Sequence, residues 1–336
     1  MKLVRILAPL LSLTLLTACR SQPEAHSVQF FAMDTVMTVS AWGGGGQEAA
    51  EQARDVVDRL DALLSVTDET SELYAANHSG GRPVSLSPET AQVLEQALDL
   101  CRDSRGALDI TLYPVVKAWG FTTDSCTVPD DAALIELLER VDWTRVSLEE
   151  DVLTLPAGME LDLGAVAKGF AADRAAESLR AAGVSSALLD LGGNIQAVGS
   201  RPDGSPWRVA VQDPDGGWLG VLEVADQAVV TSGGYQRYFE EDGERYWHIL
   251  DPATGRPARS GLTSATAVGP GGAVCDGLST TLFVLGLEES VDLWRQQGDF
   301  EFLLLTEEGE LYLSSGLADA FTPEAAWEGR VTVVEP

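Results

Sequence analysis

Residues 159–193 read MELDLGAVAKGFAADRAAESLRAAGVSSALLDLGG. The stretch opens with Met159 to Leu163, whose alternation suggests a short strand ending on a carboxylate, Asp162. Gly164 turns the chain. From about Ala165 to Ala182 the small apolar residues recur at helical spacing, and Gly183 supplies the stop. Ala187 to Leu191 is an apolar strand, closed by the pair Gly192-Gly193 and by Asn194. Strand, helix and strand in one run already exclude an all-helical or all-strand body.

Outward from this centre the pattern is mixed. Upstream, Thr35-Val36-Met37-Thr38-Val39 alternates as a strand, and Gly43 to Gly46 break it. Gln47 to Leu64 carries Ala49, Ala53, Val56, Val57, Leu60, Leu63 and Leu64 on one helical face. Ser87 can cap a second helix with Pro88 at its first position, and Asp130 to Val141 reads as a third. Short strands are expected at Val146–Leu148 and Val152–Leu155. Downstream, a strand-rich stretch with turns at Pro202-Asp203-Gly204, Asp213 to Gly217 and Glu241-Asp242-Gly243 runs to about Gly269. Helices over Val274–Leu285 and Glu288–Gln297 precede two closing strands, Phe300–Thr306 and Glu310–Ser314. No repeat or linker interrupts residues 28–330, so the expectation is one α+β body with two lobes.

The N-terminus reads differently. Lys2 and Arg5 precede an apolar run, Ile6 to Ala18, that is short for a bilayer span and suits a signal-peptide core. It ends Leu16-Thr17-Ala18-Cys19, which looks like a bacterial lipobox with Cys19 as the lipidated residue. The expected division is a signal peptide over 1–18, a lipidated tether over 19–27 and the body over 28–330. This makes the protein an exported lipoprotein, anchored through Cys19 on the outer side of the cytoplasmic membrane. The 336 residues carry a net charge of −30, with 45% hydrophobic and 22% charged residues. Lys2 and Arg5 leave with the signal, so 20 basic residues face 52 acidic ones and the mature charge is −32. Such a surface repels nucleic acid, which is excluded as a partner, and any phosphate ligand needs local positive charge. Cys101, Cys126 and Cys275 lack the CxxC spacing of zinc or iron–sulfur sites.

Four clusters carry polar or glycine residues where a plain core would not. Asp162 to Gly169 places a carboxylate, a glycine turn and a helix start together, with Lys168 one turn in. Backbone N–H groups there suit a phosphate, although a capped helix with a solvated lysine looks the same in sequence. Gly192-Gly193-Asn194 allows close backbone approach, or is simply a tight turn. Thr231-Ser232-Gly233-Gly234-Tyr235 is followed by His248-Ile249-Leu250-Asp251-Pro252, where His248 is either a core histidine or a general base. Asp276, Ser279 and Thr280 share one helical face, a hard oxygen set suited to Mg²⁺, or an Asp placed to favour the helix dipole.

Taken in order, these segments resemble the FAD:protein FMN transferase (ApbE-like) family over nearly the whole mature chain. Met33-Asp34-Thr35 aligns with its opening Met-Gly-Thr strand. Ser71, Leu73 and Asn77 match its Ser-x-Leu…Asn segment. Leu108-Asp109-Ile110-Thr111, Pro114 and Trp119-Gly120-Phe121 match the next. Asp162 to Gly169 matches its Asp-Leu-Gly-x-x-Ala-Lys-Gly signature, and Thr231-Ser232-Gly233, His248 to Pro252 and Asp276…Thr280 complete the series. The resemblance implies mixed and antiparallel sheets flanked by helices, with a flavin site between two lobes. It implies Mg²⁺ held by Asp276, Ser279, Thr280 and the Ala165 carbonyl. Met33, Ala107, Leu108, Asp109, Asp162, Lys168 and Leu250 would line the site for FAD as substrate, and His248 would be the base.

The implied reaction moves FMN from FAD to a Ser or Thr of an acceptor flavoprotein subunit, releasing AMP. Three positions depart from the family. Asp34 replaces its Gly beside the flavin pocket. Trp247 stands where many members have a second His. Thr67 stands where many have an aromatic against the nucleotide. Three other readings remain open to sequence: an FAD pyrophosphatase on the same site, a non-catalytic flavin-binding lipoprotein, and a transporter's substrate-binding lipoprotein.

Overall fold

The computed structural model describes residues 24–123 and 125–336, so the segment expected to be a signal peptide and Cys19 lie outside the described residues. Nine strands form its main sheet. They are β1 (Ala25–Ala32), β2 (Thr35–Trp42), β3 (Ser186–Leu191), β4 (Asn194–Gly199), β5 (Ala228–Gly233), β6 (Leu262–Gly269), β7 (Glu301–Thr306), β8 (Leu311–Ser314) and β9 (Val331–Val334). Their order across the sheet is their order along the chain. All neighbours are antiparallel except β8 and β9, which run parallel.

Both faces of this sheet are covered. Along β7, Phe302 and Leu304 face the helices, while Leu303 and Leu305 face a second, three-stranded sheet built from Trp207–Gln212, Trp218–Val224 and Phe321–Pro323. Alternation of period two thus serves two cores, and the strand reads as one apolar run. Each fully buried Leu or Phe there contributes about 1.5–3 kcal/mol over exposure.

Among the described residues seven α-helices complete the fold: α1 (Gly46–Leu64), α2 (Glu72–Asn77), α3 (Pro88–Asp103), α4 (Tyr113–Trp119), α5 (Asp131–Leu138), α6 (Ala167–Ala181) and α7 (Gly272–Gln297). The helix α1 packs on β1, β2 and α6, and α6 packs on α7, which lies along β5 and β6. A smaller, separate apolar cluster gathers Val115, Trp119, Phe121, Leu134 and Leu250 around α4 and α5.

The structure changes several expectations. The folded body begins before residue 28, because Ala25, His26 and Ser27 already pair with Trp42, Ala41 and Ser40 in β1. Backbone pairing imposes the strand there although its side chains look polar. The body also runs past 330, since β9 closes the far edge of the sheet. The two helices expected around residue 286 are both present: α7 consists of two helical segments that meet at Gly286, whose backbone (φ 79°, ψ −176°) is not helical. Carbonyls loosened by the kink are not left bare. Ser260 Oγ donates to Phe283 O, and Ser290 Oγ donates to Leu282 O at 3.0 Å.

Met159 to Leu163 is no ladder strand, having only a bridge between Leu112 and Glu160. Its polar groups go elsewhere. The Asn77 amide both donates to Leu161 O (2.9 Å) and accepts from Leu161 N–H (2.7 Å), while Asp162 N–H donates to Ile110 O at 2.8 Å.

Candidate functional site

The chain leaving Leu161 turns at Gly164, whose N–H donates to Asp162 Oδ1 at 2.7 Å, and enters α6. The N–H groups that sequence offered to a phosphate are partly spent. Ala167 N–H goes to Leu163 O at 2.8 Å, and Gly169 N–H goes to Asp276 Oδ2 at 2.9 Å, across to α7. That second bond has a consequence. In an ordinary helix Gly169 N–H would serve the Ala165 carbonyl. Diverted to Asp276, it leaves Ala165 O with no hydrogen bond among the described residues.

Close approach makes this possible. Gly169 and Gly272 meet where α6 crosses α7, and a Cβ on either would collide with the other's backbone. Asp276, only 4% exposed, has no salt bridge among the described residues. Burial raises its pKa, opposed by Lys168 and the Gly169 N–H. The buried Asn194 amide nitrogen, from the Gly192-Gly193-Asn194 turn, faces the same carboxylate without another partner.

Thr280, one turn along α7, is half-buried, and its hydroxyl lies 3.3 Å from Ser232 Oγ. Ser279 is fully buried; its hydroxyl donates to Asp276 O at 2.8 Å and meets Ser232 Oγ at 2.8 Å. Ser279 therefore braces the site from behind, while Ala165 O, Asp276 and Thr280 present oxygen. A carboxylate without a salt-bridge partner, a freed carbonyl and a hydroxyl form a donor set that fits a hard divalent cation such as Mg²⁺. No group of three or more His, Cys, Asp or Glu residues gathers as a metal cage among the described residues. Mg²⁺ sites with few carboxylates characteristically complete their shell with water and substrate phosphate.

The second half of the site is basic. His248 follows a hairpin of Tyr238–Glu241 and Glu244–Trp247. Phe239 and Tyr246 of that hairpin stack at 5.3 Å and lean on Trp119 at 6.3 and 5.4 Å. The His248 ring stands edge-on to Phe121 at 6.4 Å. Its Nδ1 lies 3.1 Å from the Arg237 carbonyl. A carbonyl only accepts, so Nδ1 carries the proton and Nε2 keeps a free lone pair. Burial, with Arg237 and Lys168 nearby, lowers the His248 pKa to about 4 against the favourable hydrogen bond to Arg237 O. Asp162 joins the same field: burial raises its pKa, and Lys168 and Arg237 oppose the rise.

Asp162, His248 and Asp276 are thus each within electrostatic reach of Lys168. Leu108 and Leu250 are buried, so only their backbone can meet a ligand. Asp109 is tied up locally: Oδ1 accepts Thr111 N–H and hydroxyl at 2.8 and 2.6 Å, and Oδ2 accepts Trp143 N–H at 3.2 Å. Ala107 lies at the partly exposed end of that turn. Met33 and Asp34 form the two-residue tip between β1 and β2, with φ of 46° and 60°. Asp tolerates this left-handed backbone where the resembling family uses Gly; Met does so at a cost of about 1–2 kcal/mol. Asp61 on α1 faces the Met33 backbone, and burial raises its pKa.

Sequence reading left four contributors unassigned. Ser232 was noticed only as part of a motif, and Asn194 only as the end of a glycine turn. Arg237 is a single charge in a polar loop, with no pattern around it. Asp173 lies four residues after Gly169, on the α6 face turned to α7, and that spacing was a usable signal.

Comparison with known proteins places the fold. Residues 33–304 match the model of the ApbE family. The FAD:protein FMN transferase of Treponema pallidum is 37% identical over 291 residues, covering 81% of this chain and 80% of the relative. The FAD:protein FMN transferase of Klebsiella pneumoniae is 35% identical, covering 82% and 87% respectively. Among solved structures, the ApbE protein from Thermotoga maritima superposes with a TM-score of 0.82 at 27% identity, covering 91% of this chain and 99% of that one. The flavin transferase ApbE from Vibrio cholerae gives 0.81 at 28% identity, covering 89% and 99%. With the family's model spanning most of the described body and its relatives' fold reproduced, the chain belongs to the ApbE family.

Proposed function

We propose that this protein transfers FMN from FAD to a Ser or Thr hydroxyl of an acceptor flavoprotein subunit, forming a phosphoester and releasing AMP. The observation that carries the reading is the opposition of two half-sites. An oxygen-only cluster of Asp276, Thr280 and the freed Ala165 carbonyl faces Lys168, and beyond it stands a neutral imidazole. The relatives' shared name, FAD:protein FMN transferase, supplies the chemistry that such an arrangement suits.

Asp276, Thr280 and Ala165 O would hold Mg²⁺, whose charge would offset that of the diphosphate oxygens. Lys168 and Arg237 add the local positive charge that a protein of net charge −30 must supply to an anionic substrate. His248, neutral near pH 7, accepts the acceptor hydroxyl proton on Nε2. The hydroxyl oxygen bonds to the FMN phosphorus, the bridging P–O bond breaks, and AMP departs with the electron pair. Phosphoryl transfer of this kind depends chiefly on positioning and charge neutralisation.

The segment before the body supports the location: a charged start, an apolar core and Leu16-Thr17-Ala18-Cys19 suit export and anchoring through a lipidated Cys19. Intact-mass spectrometry of a candidate acceptor incubated with the protein, FAD and Mg²⁺ tests the activity. The expected result is the gain of one FMN, abolished by EDTA. Release of FMN and AMP by the protein alone, with every acceptor unmodified, would instead make it a pyrophosphatase; FAD left intact would make it a flavin binder.

A further inference from the structure

The crossing of α6 and α7 is held by two carboxylates that each serve the other's helix. Asp276 on α7 accepts the Gly169 N–H of α6 at 2.9 Å. Asp173 on α6 accepts the Gly272 and Ala273 N–H groups of α7 at 2.7 and 2.9 Å, one per oxygen. Each carboxylate stands four residues, about one turn, beyond the glycine of its own helix at the contact. The two glycines, Gly169 and Gly272, allow no side chain between the backbones. The first turn of α7 has no cap of its own, because Gly271 offers no side chain. Asp173 supplies from another helix what a capping residue supplies locally.

A cap taken from a neighbouring helix does more than satisfy two N–H groups. It fixes where α7 begins relative to α6, and hence where Asp276 and Thr280 lie relative to the Ala165 carbonyl. We propose that Asp173 is a positioning residue for the divalent-cation site, setting cation affinity by locking the α6–α7 crossing. The inference rests on the metal reading above and adds a residue that touches neither cation nor flavin.

Calorimetric titration of the purified protein with MgCl₂, alongside thermal unfolding, tests it without reference to catalysis. Asp173→Ala should raise the Mg²⁺ Kd about 10–100-fold, the range typical of lost support around metal ligands. Asp173→Asn keeps one acceptor oxygen and serves as a milder variant if the alanine form folds poorly; it should weaken binding by a smaller factor. Position 271 has room for a side chain and an extended backbone (φ −112°, ψ 126°), so Gly271→Ser can restore a local cap. In the Asp173→Ala, Gly271→Ser double variant, Tm should recover while Mg²⁺ affinity stays low.

Recovery of both in the double variant would reduce Asp173 to a cap and overturn the inference. So would Mg²⁺ affinity within about two-fold of wild type in Asp173→Ala, well short of the loss that missing support around metal ligands causes. Wild-type protein that binds no Mg²⁺ would overturn the metal reading, and this inference with it. That failure is distinguishable because it appears before any substitution is made.

Discussion

The two halves of the site are built by opposite means. The oxygen half sits in a crossing of helices, where backbone touches backbone and buried side chains bridge from one element to the next. His248, in the basic half, follows a short hairpin held largely by aromatic contacts, Phe239 and Tyr246 against Trp119 and Phe121, with Trp247 Nε1 donating to Ala258 O at 3.1 Å. Backbone contact and reciprocal hydrogen bonds fix position to fractions of an ångström, as ligand geometry demands. Stacked rings hold a surface together while tolerating small shifts, which suits a group that must meet an acceptor protein. Burial acts oppositely on the two halves. It raises the pKa of Asp276 and Asp162 and lowers that of His248, favouring the neutral form of each.

Removing the oxygen half should cost most. Asp276→Ala is expected to lower the FMN transfer rate by about 10³-fold or more, because the charge stabilisation of a bound cation is worth several kcal/mol. Single-turnover transfer across a Mg²⁺ series measures this; full recovery at high Mg²⁺ would show that Asp276 only tightens binding, and transfer equal to wild type at every concentration would remove it from the site. Loss of the base should cost less. His248→Asn is expected to slow transfer by about 10²-fold, the lower end of what general-base catalysis contributes, while leaving Mg²⁺ affinity unchanged. A fall in Mg²⁺ affinity would mean that the halves are mechanically coupled, contrary to the comparison.

The smallest effect concerns stability and pH. The folded pKa of His248, about 4, lies below its ordinary value of 6.5, so the unfolded chain binds the extra proton between those values. His248 therefore takes stability from the fold as pH falls from about 6.5 toward 4, by about 2 kcal/mol for a ring still partly in water. Denaturant unfolding of wild type and His248→Asn isolates the term, since the carboxylates cancel in the difference. The stability of wild type relative to the variant should decline through that window; a constant difference would place the ring in ordinary solvent.

Much of the oxygen half was legible because it is coded by spacing. Asp276, Ser279 and Thr280 share a helical face, and Asp162 to Gly169 is a compact run with a recognisable order. What spacing does not encode is which hydrogen bond a group chooses. Gly169 was readable as a helix-start glycine, but its bond to Asp276, and the carbonyl this frees, depend on a helix beginning more than a hundred residues later. Met159 to Leu163 alternates like a strand, yet its partners are a side-chain amide and one carbonyl, which leave no trace in periodicity. The helices α2 and α4, of 6 and 7 residues, span too few turns to show a face. Arg237 matters through its carbonyl and its charge, neither of which its neighbours announce.

The parallel strand β9 bears on how the molecule keeps to itself. Val331 to Val334 cover the outer row of backbone groups on β8, whose Leu311 and Leu313 are buried. A chain cut after Arg330 would keep every residue of the site and still expose that row, a flat template on which another copy could pair. The last four strand residues thus move the sheet's edge from β8 to a short strand, and shortness is one way an edge is kept from templating another copy.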